Sequence, residues 1–354
     1  MLAKGAMMRG FLDEVAEQPE ALLRTLDAVR PALDGVTRRA AEIQDNRIRR
    51  VVFTGMGASY HAVYPALIYL TERGVDARLI ETAELLYYYR SLVDAGTLLV
   101  CVSQSGRSVE IQRILDELNG TVPVIGITND LESPLALQSE NTLFLNAGEE
   151  RTVSTKTYTS TLAALYMLAC ALTGTAPDNA AEQIASAAGE IAHLLPRWRE
   201  QVEATVQTLD NVHFHSFLGR GVSLASAMTG ALIVKESAKV PTEGMSCAQF
   251  RHGPIEVVDD RMAAFVFAGP ARTRKVNLRL ADEIAALGGH VAVIGDMQQP
   301  PSNMARIDMP PEASMWVLPI LEIVPVQLLA AQLAARRGLE VGAFRYIEKV
   351  TAKE

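Results

Sequence analysis

Arg50-Val51-Val52-Phe53-Thr54-Gly55-Met56-Gly57-Ala58-Ser59-Tyr60 is the stretch that decides the fold. An apolar run of strand length stops at two glycines and opens at once into a helical pattern from Tyr60 to Glu72. The plan recurs at Thr97-Leu98-Leu99-Val100-Cys101-Val102, which ends in Ser103-Gln104-Ser105-Gly106-Arg107-Ser108 and passes into a helix ending at Leu118. Val122 to Ile127 and Thr142 to Leu145 read as further strands. Continuous apolar runs, rather than strict alternation, mark strands covered on both faces, as in a parallel sheet. Strands that alternate with helices of this length predict βαβ units.

Beyond these units lies a helical block, Thr155 to Thr173 and then Ala180 to Leu209, with Pro177 ahead of Asp178 as its N-cap. The alternation then restarts. Val212 to Leu218 runs into Gly219-Arg220-Gly221 and a helix to about Ala238; Met262 to Phe267 runs into Gly269-Pro270 and a helix from Arg272 to Leu287. His290 to Ile294 is the next strand and Met315 to Arg337 the last helix. The expectation is an α/β chain of two similar three-layer α/β/α lobes with parallel sheets. Their expected limits are 35–176 and 177–340, after an N-terminal helical segment, 1–34, and before a C-terminal tail, 341–354.

Composition narrows the function classes. Basic residues number 33 and acidic residues 41, a formal charge of −8. Nucleic-acid binding needs surplus positive charge to displace counterions from phosphates, so that class is set aside. Three cysteines in 354 residues build no disulfide framework, and no CxxC or HExxH spacing offers a metal site, which points to the reducing cytosol. The start of the chain lacks the apolar core of a secretory signal. The most membrane-like stretch, Met315 to Ala335, carries Glu322, Pro319 and Pro325 and reads as a packed core helix rather than a span. No cofactor is expected.

In open parallel sheets, ligands bind beyond the carboxyl ends of the strands, where loops enter helix N-termini. Gly55 to Ser59 and Ser103 to Ser108 are two such loops. Small residues admit an anion close to the backbone, N–H groups point at it, and hydroxyls donate to its oxygens, which suits a phosphomonoester. The first loop lacks GxGxxG, and no GK[ST] makes either loop a P-loop. Plain strand-to-helix turns remain the alternative. A third hydroxyl-rich segment, Thr152 to Thr157, is either an N-cap cluster or part of the same pocket. In the second half, Lys235-Glu236 lies late in a helix, and Arg251-His252-Gly253-Pro254 follows. A histidine and a partly buried glutamate form the pair needed to move protons beside a carbonyl, though a lone helical glutamate is commonly solvated and a lone histidine commonly structural. His213 and His215 share a strand face but lack a third metal ligand, and Cys247 lacks a charged neighbour, so both read as structural.

Taken in order, these residues resemble the double sugar-isomerase (SIS) domain family, and most of all the isomerase half of glutamine–fructose-6-phosphate aminotransferase. The resemblance spans nearly the whole chain. It rests on Gly55 to Tyr60, Ser103 to Ser108, Asn146-Ala147-Gly148-Glu149 with Val153 to Lys156, Leu218 to Gly221, Lys235-Glu236, Arg251 to Pro254, Val324 to Leu329 and Glu348-Lys349-Val350-Thr351. It implies that Gly57, Ala58, Ser59, Ser103, Gln104, Ser105 and Ser108 hold a sugar phosphate and that Ser154 lines the sugar. It further implies that Glu236 shuttles a proton between C1 and C2, that His252 helps open the ring from a neighbouring subunit, and that Lys349 acts near the carbonyl carbon from a tail over the site. A homodimer at least is then expected, with a small sugar phosphate as ligand and neither nucleic acid nor membrane as partner.

Three departures qualify the resemblance. Leu2 stands where a glutaminase domain would carry its cysteine, so glutamine is not expected as the ammonia source within this chain. Ile233 replaces a lysine one turn before Glu236, and Gln249 replaces a frequent glutamate before His252. What the resemblance then implies is an amino-sugar-phosphate deaminase/isomerase that converts a substrate such as glucosamine 6-phosphate to fructose 6-phosphate and ammonia. A fructosamine-6-phosphate deglycase and a non-catalytic sugar-phosphate-binding module are the alternatives.

Overall fold

The computed structural model describes residues 10–209, 211–296 and 304–346. The chain divides into two compact units. The first lobe takes in Glu20–Glu150 and Lys156–Ser186; the second takes in Arg151–Thr155 and Ala187–Phe344 together with residues 10–19. A helical stretch over residues 10–16 precedes α1 (Gln18–Gln44).

The first lobe is built on β1 (Arg50–Gly55), β2 (Ala77–Glu81), β3 (Thr97–Val102), β4 (Val124–Thr128) and β5 (Asn141–Phe144). They form a wholly parallel sheet in the order β2-β1-β3-β4-β5. One face packs on α4 (Thr82–Tyr87), α5 (Val109–Leu118) and α6 (Pro134–Gln138), with Val52, Leu99 and Cys101 set against Leu85, Ile111, Ile114 and Leu135. Each such side chain removed from water contributes about 1.5–3 kcal/mol. Helices α2 (Gly57–Ala62), α3 (Tyr64–Thr71) and α7 (Lys156–Leu172) pack with one another. The single helix expected over Tyr60 to Glu72 is thus two, because Pro65 in the first turn of α3 lacks the N–H that a continuous helix requires.

Helix α8 (Pro177–Gln207) starts three residues before the expected Ala180. Pro177 is pre-set for a first helical position, and Asp178 lies inside the first turn, paired with Arg30 at 3.6 Å.

The second lobe repeats the plan with β6 (Phe214–Gly219), β7 (Thr242–Ser246), β8 (Met262–Phe267), β9 (His290–Ile294) and β10 (Ala305–Ile307). All pairings are parallel, in the order β10-β9-β8-β6-β7. One face meets α10 (Cys247–Phe250) and α11 (Ala271–Ala286) through Leu218, Ala264, Val266, Phe250, Leu280 and Ile284. Helix α9 (Ser223–Ala238) packs against α12 (Leu318–Arg336). A Cβ on Gly230 would stand 3.0 Å from Val326, so glycine sets the closeness of that approach. Helix α12 is long and apolar enough to cross a membrane by length and composition, yet 89% of its most apolar 18-residue stretch is buried within the protein. Two parallel α/β/α lobes are therefore what the sequence pattern led one to expect.

Candidate functional site

The phosphate-type loops are brought together by strand register. Gly55, the last residue of β1, pairs with Val102, the last of β3. A Cβ on Gly55 would lie 2.8 Å from the Val102 carbonyl oxygen, a separation only glycine permits. The loops after β1 and β3 consequently leave the sheet side by side, where the strand order turns from β2 on one flank of β1 to β3 on the other. Such a switch point is the general ligand position of an open parallel sheet.

Gly57 stands at φ +51° and is exposed; Ala58 and Ser59 behind it are half-buried. In the second loop, Ser103 is buried and its Oγ accepts from Gly106 N at 3.1 Å, while Ser105 Oγ accepts from Arg107 N at 3.2 Å. Gly106 takes φ +61° against Ser133, where a Cβ would fall 2.2 Å from the Ser133 hydroxyl. Arg107 is turned aside by Asp130, at 2.8 Å, and by the Glu132 carbonyl. Ser108 occupies the N-cap position of α5 but makes no side-chain capping bond. A hydroxyl placed there without serving its own helix is one that can donate to a ligand oxygen beside the orphan N–H groups.

Asn129, after β4, was not singled out by the sequence. Its carboxamide accepts from Ala147 N at 2.9 Å and donates to the Gly148 carbonyl at 2.9 Å, holding the turn after β5 toward the same end of the sheet. Buried Glu150 accepts from Thr157 N at 3.0 Å and from Thr157 Oγ1 at 2.7 Å, capping α7. Bonds of this kind, between separate segments of one chain, leave no periodic mark in a sequence.

In the second lobe, Glu236 lies in the last turn of α9, between exposed Lys235 and buried Ser237. Burial pushes its carboxyl up to about 7, against the opposing pull of Lys239 and then Lys235. Lys239 closes the helix in the left-handed region at φ +55°. Its Nζ donates to the Glu236 carbonyl and, at 2.7 Å, to the Ala343 carbonyl, so the start of the C-terminal tail is tied to the end of α9. His252 is exposed; its N–H donates to Gln249 O at 2.9 Å, and Gly253 at φ +125° turns the chain into a 3-10 turn over Pro254–Val257.

The first lobe therefore gathers Gly57, Ala58, Ser59, Ser103, Gln104, Ser105 and Ser108. Glu236 and His252 belong to the second lobe, and Ser154 falls within that compact unit too. Lys349 lies outside the described residues. Cys247 is buried, with burial raising its thiol to about 11, which leaves it a poor nucleophile. His215 stacks on Phe265 at 6.0 Å, and burial, then Arg337, lowers it to about 4. His213 precedes β6 rather than lying in it. Among the described residues no group of three His, Cys, Asp or Glu is placed to hold a metal ion.

A family model for the SIS domain matches twice, over residues 46–171 and 215–337, one match on each sheet. The chain belongs to the SIS domain family. The isomerizing glutamine–fructose-6-phosphate aminotransferase of Pyrococcus horikoshii is 30% identical over 359 residues, which cover 96% of this chain and 56% of that protein. The Acinetobacter baylyi enzyme of the same name is 29% identical, with 99% of this chain and 60% of that protein covered. The chain thus spans under two thirds of the length of these curated relatives. Among solved structures, the C-terminal domain of glucosamine-fructose-6-phosphate aminotransferase from Francisella tularensis superposes with a TM-score of 0.84 at 23% identity, covering 94% of this chain and 97% of that one. At that identity the likeness is one of fold. The two SIS lobes are of unequal chemistry: the first presents hydroxyls at its switch point, the second a glutamate whose acidity is shifted toward neutrality.

Proposed function

We propose that this SIS protein is a phosphosugar isomerase that acts on an amino-sugar 6-phosphate and releases ammonia. The observation that carries the reading is the adjacency of the loops after β1 and β3, with Ser108 unspent as a cap. In this reading Ser59, Ser103, Gln104, Ser105, Ser108 and the Gly57–Ala58 backbone hold the phosphate, and Ser154 lines the sugar. His252, contributed by a neighbouring subunit of a homodimer, assists ring opening to the aldehyde.

Glu236 then takes the C2 proton, the electron pair forms the C1–C2 double bond, and the carbonyl oxygen gains a proton to give an enolamine. Return of the proton to C1 leaves an imine at C2. Water adds to that carbon and ammonia departs, so one amino sugar and one water become one ketose phosphate and one ammonia. A carboxyl near 7 suits both halves, since it is ionised often enough to accept a proton and acidic enough to return it. Lys349, in the tail, is assigned to the vicinity of the carbonyl carbon.

The test is incubation of pure protein with hexosamine 6-phosphates and fructosamine 6-phosphates, with ammonia and ketose phosphate measured separately. Ammonia and fructose 6-phosphate from glucosamine 6-phosphate, lost in Glu236→Gln, is the expected result. Release of a free amine from a fructosamine 6-phosphate alone would assign a deglycase, and binding without turnover would assign a sensor module.

A further inference from the structure

The second lobe holds a pocket that the proposed chemistry leaves unused. It measures about 450 Å³ and opens at the carboxyl ends of β8 and β9, between Gly269, Gly295 and the start of α12. A volume of this size suits a small organic ligand, for which pockets run from roughly 300 to 1,000 Å³. In strand order, β8, β9 and β10 stand in the second sheet where β3, β4 and β5 stand in the first. The pocket is therefore the counterpart of the serine-loop side of the first lobe, with different side chains.

Those side chains form a graded surface. At the mouth, exposed Arg272 extends toward Met315, Nη2 to Sδ 3.8 Å. Beside it, Arg274 Nη1 donates to Asp296 at 2.9 Å, while its Nε is buried without a hydrogen-bond partner. Buried Met309 and Leu318 supply apolar wall. At the floor is Glu322, 1% exposed in an otherwise apolar helix, its two oxygens accepting from Ser223 Oγ at 2.8 Å and Ser226 Oγ at 2.6 Å. Burying a carboxyl costs several kcal/mol unless something recovers it. Two serine hydroxyls recover part, and they leave further lone pairs on the oxygens for a donor within the pocket. A guanidinium with an unspent N–H and an acceptor at the floor call for one ligand carrying an anion at one end and hydroxyl or amino donors at the other.

We propose that this pocket is a second small-molecule site, which takes a phosphomonoester with a hydroxylated or aminated body: phosphate toward Arg272 and Arg274, donors toward Glu322. It is separate from the phosphate loops of the first lobe, so the chain holds two such ligands rather than one.

Glucosamine 6-phosphate is the probe, and the readout is the number bound per chain and each Kd, by calorimetry, for wild type, Ser105→Asp and Arg272→Glu. Ser105→Asp sets a negative charge in the first-lobe loop; Arg272→Glu reverses an exposed charge at the mouth of the second-lobe pocket. Two sites in wild type are expected, with one surviving in each variant. Loss of the arginine's charge-assisted bond should weaken the second site at least about tenfold. Filling the pocket by Met315→Trp provides an independent block, and it should remove the same site. One site in wild type that Ser105→Asp abolishes and Arg272→Glu leaves intact overturns the inference. One site lost only in Arg272→Glu upholds it and instead removes the phosphate from the first-lobe loops.

Discussion

If Glu236 is the proton shuttle, the pH dependence of turnover carries its signature. Its carboxyl titrates near 7 because burial disfavours the anion more than Lys239 and Lys235 favour it. The accepting form is the carboxylate, so activity must fall as pH drops below 7. At pH 6 about one tenth of the molecules carry the base, and at pH 5 about one hundredth, since each pH unit is tenfold. A glutamate at its ordinary value of 4.5 would instead leave kcat/KM flat down to about pH 5. The assay is kcat/KM for ammonia release between pH 5 and 8.5, in buffers of constant ionic strength. Glu236→Gln should cost between about a hundredfold and ten-thousandfold, the usual worth of a positioned acid–base group. Lys239→Met adds a test of cause: removing a cation that favours the carboxylate moves the acid limb to higher pH, and Lys239→Arg restores it. An acid limb at 4–5 in wild type, or full activity in Glu236→Gln, would refute the reasoning.

Three further outcomes follow from the same geometry. Ser108→Ala should raise KM by about ten- to a hundredfold for the loss of one bond to a charged ligand. Because Ser108 makes no capping bond, its thermal stability should stay that of wild type; a drop worth about 1 kcal/mol would mean that the hydroxyl is a cap after all. Gly106→Ala meets both a φ of +61° and Ser133 Oγ at 2.2 Å, so denaturant melts should show a loss of about 1–3 kcal/mol and a much weakened phosphate site; an unchanged melt would show that the loop relaxes freely. Glu322→Gln tests the buried carboxyl. Burial raises it from 4.5 to about 7, a gap of about 2.5 pH units or roughly 3 kcal/mol. With its folded value above its unfolded one, the group favours the fold below pH 4.5 and this contribution is lost as pH rises through 7. The variant should therefore match wild type near pH 4.5 and exceed it at pH 8.5, measured as melting temperature without ligand; no change in the difference between the two pH values would count against the buried charge.

Reading the strands from sequence succeeded where burial is two-sided. β1, β3, β4 and β8 have almost every residue buried, and a buried parallel strand must be an apolar run. Of the four edge strands, only β5 was read, as Thr142 to Leu145; the other three escaped. Ala-Arg-Leu-Ile-Glu in β2 and Thr-Glu-Gly-Met-Ser in β7 are largely half-exposed, and three-residue β10 is too short to show a period. Each is a strand because a neighbour offers hydrogen bonds, a fact about the partner rather than about the segment. The serine loops and the His252-Gly253-Pro254 turn were legible because glycine, proline and small hydroxyl residues mark local backbone demands. Asn129, Glu150 and Glu322 were not, since each is defined by partners brought up by other elements.

Local chemistry was thus settled by the chain itself: two runs of βαβ units, glycine-punctuated loops rich in hydroxyls, a glutamate and a histidine in order. Tertiary structure alone decided that Gly55 and Val102 end in register, so that the two loops leave the sheet side by side. It also decided that Glu236 is buried enough to titrate near 7 and that Glu322 faces a pocket over two serines. The physical reason is range. Turn geometry and burial period act over a few residues and are written in their neighbours, whereas desolvation and strand register depend on groups far along the chain that only packing brings close.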